Sequence, residues 1–594
     1  MPAIPADRCV GGRDLTEPRL SADGSVLGYV AARAGTACLV VHRFDGSEDQ
    51  RLATTPAIRP GRGLGGGAWC FAAHDKHVVY VAVDGELWWQ SLAGEPAVQL
   101  SSHGGGRSVS GPVAAADGSC VVHVLDMAEV HRVSLTDCSA TRLDDGSADF
   151  CLDPFVEADS RAVRWLAWDV PDMPWDRSRV QRCDRDGVVR DHLRPEGAVQ
   201  QARALPDGSS ICVRDDSGWL NVWLGDAPLL PERCEHAGPT WGPGQQSYAW
   251  SPDGRSVAFT RNEAGFGRMC VVDRVTGATR EVARGVHGHL SWQGSRLAAV
   301  RTGARTPTQI VVYDTESWDR TAIAVGPGEA WSGATLREPT LLEVPVADGV
   351  VHARLYTADN ADGRLLVWLH GGPTDQWPVT FMPRLEFWLS RGWSIVVPDH
   401  RGSTGHGRAY QQALRGRWGQ LDVADILAVT SFAHSAGFAQ RSRTVIIGGS
   451  AGGFTALGVV AAAPGRFAAA VLSYPVTDLS DLAECSHRFE RHYTDSLIGP
   501  LPDAIAAYQQ RSPTWHADRY TLTPMLLLHG ELDAVVPVEQ SRVFVQRVLA
   551  AGGDIELCVY AGEGHGFRRL TNQVDEYRRI EEFLARCVPV DFEA

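Results

Sequence analysis

The chain has 594 residues, 44% hydrophobic and 21% charged, with a formal net charge of −15. That length accommodates two large domains with sizeable cores, and an acidic chain with no basic run suits no nucleic-acid partner. Lys76, in the turn-like stretch His74-Asp75-Lys76-His77, is the single lysine, which all but excludes Schiff-base, pyridoxal-phosphate and P-loop chemistry, since each needs a placed lysine.

Residues 1–8 carry no apolar stretch of signal-peptide type, and no run of about 18 apolar residues occurs anywhere. Neither a secretion signal nor a membrane partner is expected. The thirteen cysteines are scattered singly without a C-x-x-C pair, which reads as buried free thiols in a reducing cytoplasm.

From residue 1 to about 330, short β-branched and aromatic runs alternate with Gly, Asp, Pro and Ser, and helical periodicity is nearly absent. A small turn followed by an alternating strand recurs at Ala22-Asp23-Gly24, His74-Asp75-Lys76, Ala116-Asp117-Gly118 and Ala158-Asp159-Ser160. It returns at Pro206-Asp207-Gly208, Pro252-Asp253-Gly254 and Trp292-Gln293-Gly294. A period of roughly 40–50 residues with several strands per unit is the mark of a β-propeller. Seven turns predict seven blades. The segment from Gly326 to Gly333 reads as a linker, so the expected division is a propeller over 1–333 and a second domain over 334–594.

Beyond the linker, buried strands are predicted at 365–369, 395–397, 445–447, 469–472 and 525–528. They alternate with helical patterns at 423–436, 453–462, 540–549 and 573–586. Such alternation predicts a doubly wound, mostly parallel α/β sheet with both faces covered, whose chemistry gathers at the carboxyl ends of the strands.

Two weaker signals are set aside. Gly61-Arg62-Gly63-Leu64-Gly65-Gly66 has the form G-x-G-x-x-G but neither a strand before it nor a helix after it. No metal or cofactor motif occurs, so neither is expected. Arg401 and Asp422 are read as loop-holding residues rather than substrate contacts.

Gly448-Gly449-Ser450-Ala451-Gly452 contains G-x-S-x-G, weak by itself in a chain with 62 glycines. Here an apolar strand enters it and a helical pattern leaves it, the context of a strained turn that presents a nucleophilic serine. A serine hydroxyl needs a base, and the base an orienting acid, in the order Ser, Asp or Glu, His along this fold. Leu528-His529-Gly530-Glu531-Leu532-Asp533 ends a later strand with acids, and Glu563-Gly564-His565-Gly566 follows the next. Ser450, Asp533 and His565 are the candidate triad. Glu531 and Glu563 are the rival acids, and Asp533 is preferred for its place before Val536-Pro537. His370-Gly371-Gly372-Pro373 closes an earlier strand with glycines whose N–H groups suit an oxyanion, as does the N–H of Ala451.

Gly448 to Gly453, together with Pro398-Asp399-His400-Arg401-Gly402-Ser403-Thr404-Gly405, resembles the prolyl oligopeptidase family of serine peptidases, in its acylaminoacyl-peptidase and dipeptidyl-aminopeptidase-like branch. Gly416-Arg417-Trp418-Gly419, His529-Gly530, Val536-Pro537, Gly564-His565-Gly566 and Asp172-Met173-Pro174-Trp175-Asp176 fit as well. The resemblance implies a propeller capping an α/β-hydrolase domain, with the active site in a cavity between them and access favouring short substrates. It assigns Ser450, Asp533 and His565 as nucleophile, orienting acid and base. Gly372 and Ala451 become oxyanion donors, with Gly371 a substitute for Gly372. Phe489 and Val536 fall where relatives line the pocket for the residue before the cut. The residue after the nucleophile is often tyrosine in relatives and is Ala451 here, which removes a wall from that pocket. No match to the paired glutamates that bind a free amine is evident, and Asp172, Asp176 and Glu490 are the acidic candidates. The expected function is amide hydrolysis of short peptides or aminoacyl conjugates, puromycin-like antibiotics included. The alternatives are a carboxylesterase with the same triad and an inactive propeller scaffold. A homo-oligomer stays open.

Overall fold

Each repeated turn joins the first and second strands of one four-stranded antiparallel sheet. The aspartate closes the turn on itself: Asp207 accepts the N–H and hydroxyl of Ser209, Asp117 those of Ser119, and Asp253 the N–H of Arg255. This is the local bond that suits aspartate to such turns. The computed structural model describes residues 3–61, 66–158, 162–327, 331 and 334–589. Asp159 and Ser160 of the fourth turn, positions 62–65 of the glycine-rich segment and most of the linker lie outside the described residues.

The sheets span 14–52, 69–99, 109–142, 150–193, 199–228, 248–284 and 286–325, making a seven-bladed β-propeller. Packing runs from blade to blade. Ala72, Val79 and Leu87 of blade 2 cluster with Val121, Leu125 and Val133 of blade 3. The ring closes where Leu27, Tyr29 and Val40 of blade 1 meet Ala298, Val300, Ile310 and Val312 of blade 7. Closure leaves no long exposed sheet edge. Bulges in the first strands of blades 1, 4, 5 and 7 put Glu17, Asp153, Gln201 and His289 at positive φ.

The second unit is built on an eight-stranded sheet: β1 (Thr340–Val346), β2 (Gly349–Tyr356), β3 (Leu365–Leu369), β4 (Ser394–Asp399), β5 (Thr444–Gly449), β6 (Ala469–Ser473), β7 (Met525–Gly530) and β8 (Ile555–Tyr560). Their order is β1-β2-β4-β3-β5-β6-β7-β8, antiparallel through β1-β2-β4 and parallel thereafter. Helices α1 (Leu421–Ser435), α2 (Ala451–Ala462), α3 (Val538–Ala550) and α4 (Leu570–Cys587) match the four predicted helices, the first ending one residue earlier than expected. Val367, Leu369, Ile446, Leu472 and Leu527 of the sheet share one core with Val429, Leu457 and Phe544 of the helices. This is an α/β-hydrolase sheet.

The division between units is not a single cut at residue 333. Residues 1–11 group with the hydrolase unit and 378–381 with the propeller unit. Ile4 donates its N–H to Ser390 Oγ and accepts from Arg391, which ties the N-terminal segment to the hydrolase unit. The Val379 N–H is donated to Gly265 O, and Phe381 N–H to Thr302 Oγ1, in the propeller unit. All thirteen cysteines stand as free thiols, but not all are buried as expected: Cys138 and Cys485 are exposed, and Cys9, Cys38, Cys558 and Cys587 are half-buried.

Candidate active site

Ser450 occupies the turn between β5 and α2 at φ 54° and ψ −125°, a backbone region that a non-glycine residue enters only under constraint. Its N–H is fixed to Ser473 O at the end of β6, and its carbonyl accepts the first helical bond, from Phe454. The glycines around it are there because nothing larger fits. A Cβ on Gly448 would lie 2.3 Å from Gly452 O, and one on Gly452 2.4 Å from His370 O. The N–H of Ala451, in the first turn of α2, has no intrahelical acceptor and points with the helix dipole towards the turn.

Asp533 lies on the loop from β7 to α3 with its carboxylate fully buried. One oxygen accepts the N–H groups of Val535 and Val536, both at 2.9 Å, and the other meets His565 Nδ1 at 2.7 Å. Burial alone would raise this carboxyl, but hydrogen bonds from His529, His565 and the backbone hold it well below the usual carboxylate range. An ionised carboxylate only accepts, so His565 Nδ1 carries the proton and Nε2 keeps its lone pair. His565 makes its hydrogen bond to Asp533 and not to Ser450, and such contacts often tighten only when substrate binds.

The sequence did not single out Tyr474, which follows β6 at φ 40°. Its ring packs 4.5 Å from the His565 ring, and a Cβ on Gly449 would come within 3.3 Å of it. Tyr474 therefore spans from the residue before Ser450 to the histidine. Burial pushes its phenol up to about 12, so it stays protonated. His529 is read in the sequence only as part of a motif and given no role: its Nε2 donates to Val536 O at 2.9 Å and its Nδ1 accepts from Ser541, bracing the acid loop. The signal for both was position, since each sits at the carboxyl end of a strand.

The loop after β3 is held from several sides. His370 donates through Nδ1 to Gly371 O and accepts from Ser403 at Nε2, both at 2.7 Å. A Cβ on Gly371 would lie 3.7 Å from the Ser450 Cβ, which places this glycine beside the serine. Gly372 has φ 119°, where a side chain would be strained. Further along, Thr374 N–H is donated to Tyr493 and Gln376 donates to Asp399 at 2.7 Å. Asp399 is bound bidentately by Arg354 at 2.6 Å and by His406 at 2.8 Å, all inside the sheet. These partners outweigh its burial and hold the carboxyl far below its ordinary range. Asp375, in the same loop, has no cation. Burial, with Asp399 nearby, pushes it up to about 7.

Of the remaining candidates, Val536 is buried and its backbone is committed to Asp533 and His529. Phe489 is buried, and Glu490 is paired with His487 at 3.1 Å. Asp172 and Asp176 lie in the propeller unit between the strands Val163–Trp168 and Arg179–Cys183, where Asp176 accepts the N–H of Met173. Arg401 forks onto Asp425, and Asp422 accepts from Gly419 N–H and Thr455, so each holds local structure. The rival acids are spoken for. Glu563 caps Arg568, Arg569 and Asn572, and Glu531 accepts from Gly562.

Among the described residues, one group of metal-ligand type converges to within 4.8 Å: Glu232, Cys234 and His236 in the propeller unit. His236 Nδ1 accepts the N–H of Val222, so Nε2 keeps its proton and donates it to Glu232. Arg261 forks onto the same carboxylate. The group is a hydrogen-bonded knot with no nitrogen to offer a metal. Among the described residues, no helix is long and apolar enough to cross a membrane.

Dipeptidyl peptidase family member 6 of Caenorhabditis elegans is 30% identical over 267 residues, which cover 44% of this chain and 36% of that protein. Acylamino-acid-releasing enzyme 1 of Oryza sativa subsp. japonica is 30% identical over 231 residues, 37% of this chain and 30% of that protein. The chain thus spans about a third of the length of these curated relatives. Two solved structures match nearly end to end. A Mycobacterium tuberculosis puromycin-hydrolyzing peptidase superposes with a TM-score of 0.91 at 26% identity, covering 100% of this chain and 98% of that one. Puromycin hydrolase superposes at 0.87 with 28% identity and the same coverage. Residues 379–590 match the profile of the prolyl oligopeptidase family, and this part of the chain is a domain of that family.

Proposed function

We propose that the protein is a serine hydrolase that cleaves amide bonds of short peptides or aminoacyl conjugates through an acyl-enzyme. Ser450 is the nucleophile, His565 the base and Asp533 the orienting acid. The observation that carries the reading is the 2.7 Å bond from His565 Nδ1 to a buried, ionised Asp533, which leaves Nε2 as the basic nitrogen in a unit whose one strand-to-helix serine is strained.

The Ser450 hydroxyl proton passes to His565 Nε2 as the Oγ–carbon bond forms and the carbonyl oxygen gains the electron pair. That oxyanion takes hydrogen bonds from the N–H of Ala451 and from Gly372 or Gly371, each such donor being worth about 10²–10³ in rate. The imidazolium, stabilised by Asp533, returns the proton to the departing amine. Water then attacks the acyl-enzyme with the same base and frees Ser450.

The full-length likeness to puromycin hydrolase supports aminoacyl amides as the substrate class. The test is a panel of aminoacyl, acylaminoacyl and dipeptidyl amides with puromycin, set against simple acyl esters, on the parent and on Ser450→Ala. Cleavage of aminoacyl amides that disappears in Ser450→Ala is expected. Turnover of esters alone, or amide cleavage that survives the substitution, overturns the reading.

A further inference from the structure

Blades 2 and 3 enclose a triangle of histidines that the hydrolase chemistry does not use. His123 lies in the middle strand of blade 3, Cys120–Leu125, and is wholly buried. His131 stands directly opposite it on the neighbouring strand, Glu129–Ser134. His103 comes from the segment leading into the blade, where its backbone N–H is fixed to Glu86 at 2.6 Å. The three ring centroids are 5.5, 5.6 and 5.6 Å apart.

Both ring nitrogens of His123 are buried without a hydrogen-bond partner, and so is Nε2 of His103. Leaving a buried polar group unsatisfied is costly, so such groups point to something that completes them. A bridging water makes two to four hydrogen bonds and is one way to complete these nitrogens; the equal spacing of the three imidazoles is the feature that favours an ion. Around one ion bound through nitrogens at about 2.0–2.1 Å, three ring centroids stand about 5.1–5.6 Å apart between tetrahedral and trigonal geometry.

We propose that His103, His123 and His131 bind one late transition-metal ion, Zn²⁺ by its preference for three imidazoles and a water. As placed, the three rings do not bring one nitrogen each within 4.8 Å of the others, so binding requires them to turn about their Cβ–Cγ bonds while the backbone stays in place. Glu129 supplies the outer partner: it holds His131 Nε2 at 2.9 Å, which leaves Nδ1 to the ion in the carboxylate–histidine–metal arrangement common to such sites. The cations near the triangle are already engaged. Arg107 is bound to Asp126 and Glu129, and Arg142 is bound to Asp144. His131 keeps 14% of its side chain exposed, which offers the ion a way in.

The test uses the full chain, stripped with a chelator and titrated with Zn²⁺ by equilibrium dialysis, with Co²⁺ as a spectroscopic substitute. The parent should take up one tight equivalent, show tetrahedral Co²⁺ absorption and melt at a higher temperature with Zn²⁺ present. His103→Ala, a loop position, should weaken that equivalent by more than the roughly 100-fold typical of losing an outer partner, and Glu129→Gln by roughly 10–100-fold. Cys234→Ser should bind like the parent. Absence of a tight equivalent, its survival in His103→Ala, or its loss in Cys234→Ser overturns the proposal.

Discussion

His565 and His123 are two imidazoles treated in opposite ways. His565 is oriented by an ionised carboxylate, braced by the Tyr474 ring and left partly open on its other side. His123 is wholly enclosed, has no partner at either nitrogen, and faces two more imidazoles. A fixed anion makes the first a base with a defined tautomer. The want of one leaves the second with no partner to set its tautomer. The same contrast separates two carboxylates of the hydrolase unit: Asp399 is gripped by Arg354, Gln376 and His406, whereas Asp375 is hemmed in without a cation.

Removing the partner should collapse each difference. Asp533→Asn leaves His565 without its anion, as His123 is, and kcat for amide cleavage should fall about 10⁴-fold with little change in folding. Steady-state kinetics beside a melting curve reads both, and unchanged kcat would move the acid elsewhere. Arg354→Met strips Asp399 of its counter-ion inside the sheet. Breaking such a pair typically costs about 3–5 kcal/mol, so denaturant unfolding should shift accordingly, and a change below about 1 kcal/mol would contradict the structural role given to this pair.

The smallest effect concerns Asp375. Its carboxyl ionises near 3.8 when unfolded and is held up to about 7 in the folded chain. The folded state therefore binds the extra proton between those values, and stability falls as pH rises through that window. Asp375→Asn removes the loss: its Tm should exceed the parent's at pH 8 and approach it at pH 4. The substitution also removes a negative charge near the loop meant to face an oxyanion, so kcat/KM at pH 8 should rise modestly. An equal difference in Tm at both pH values would deny the raised carboxyl.

The propeller was legible because its turns are local. An aspartate bonded two residues ahead leaves the same mark in blades 1, 3, 5 and 6 whatever packs around it. The parallel strands were legible as unbroken apolar runs, and the catalytic loops followed from strand ends. The first two strands of the hydrolase sheet were not, because β1 alternates exposed Thr340, Leu341 and Glu343 with buried Leu342 and Val344 at an antiparallel edge. Residues 378–381 carry no composition that would assign them to the propeller unit, and only their backbone bonds do so. Tyr474 escaped notice because it acts through a neighbour and belongs to no motif, and His529, read only as part of the His529-Gly530 motif, acts through the acid loop rather than on substrate.

The central claim is that Ser450, and no other serine, is activated by the Asp533–His565 pair. Its most direct test is labelling of the intact chain by a fluorophosphonate, with the modified residue located by peptide mass spectrometry and the rate compared in His565→Ala. The account predicts a single adduct on Ser450, formed orders of magnitude more slowly without the histidine. An adduct on another residue, or a rate indifferent to His565, would contradict it.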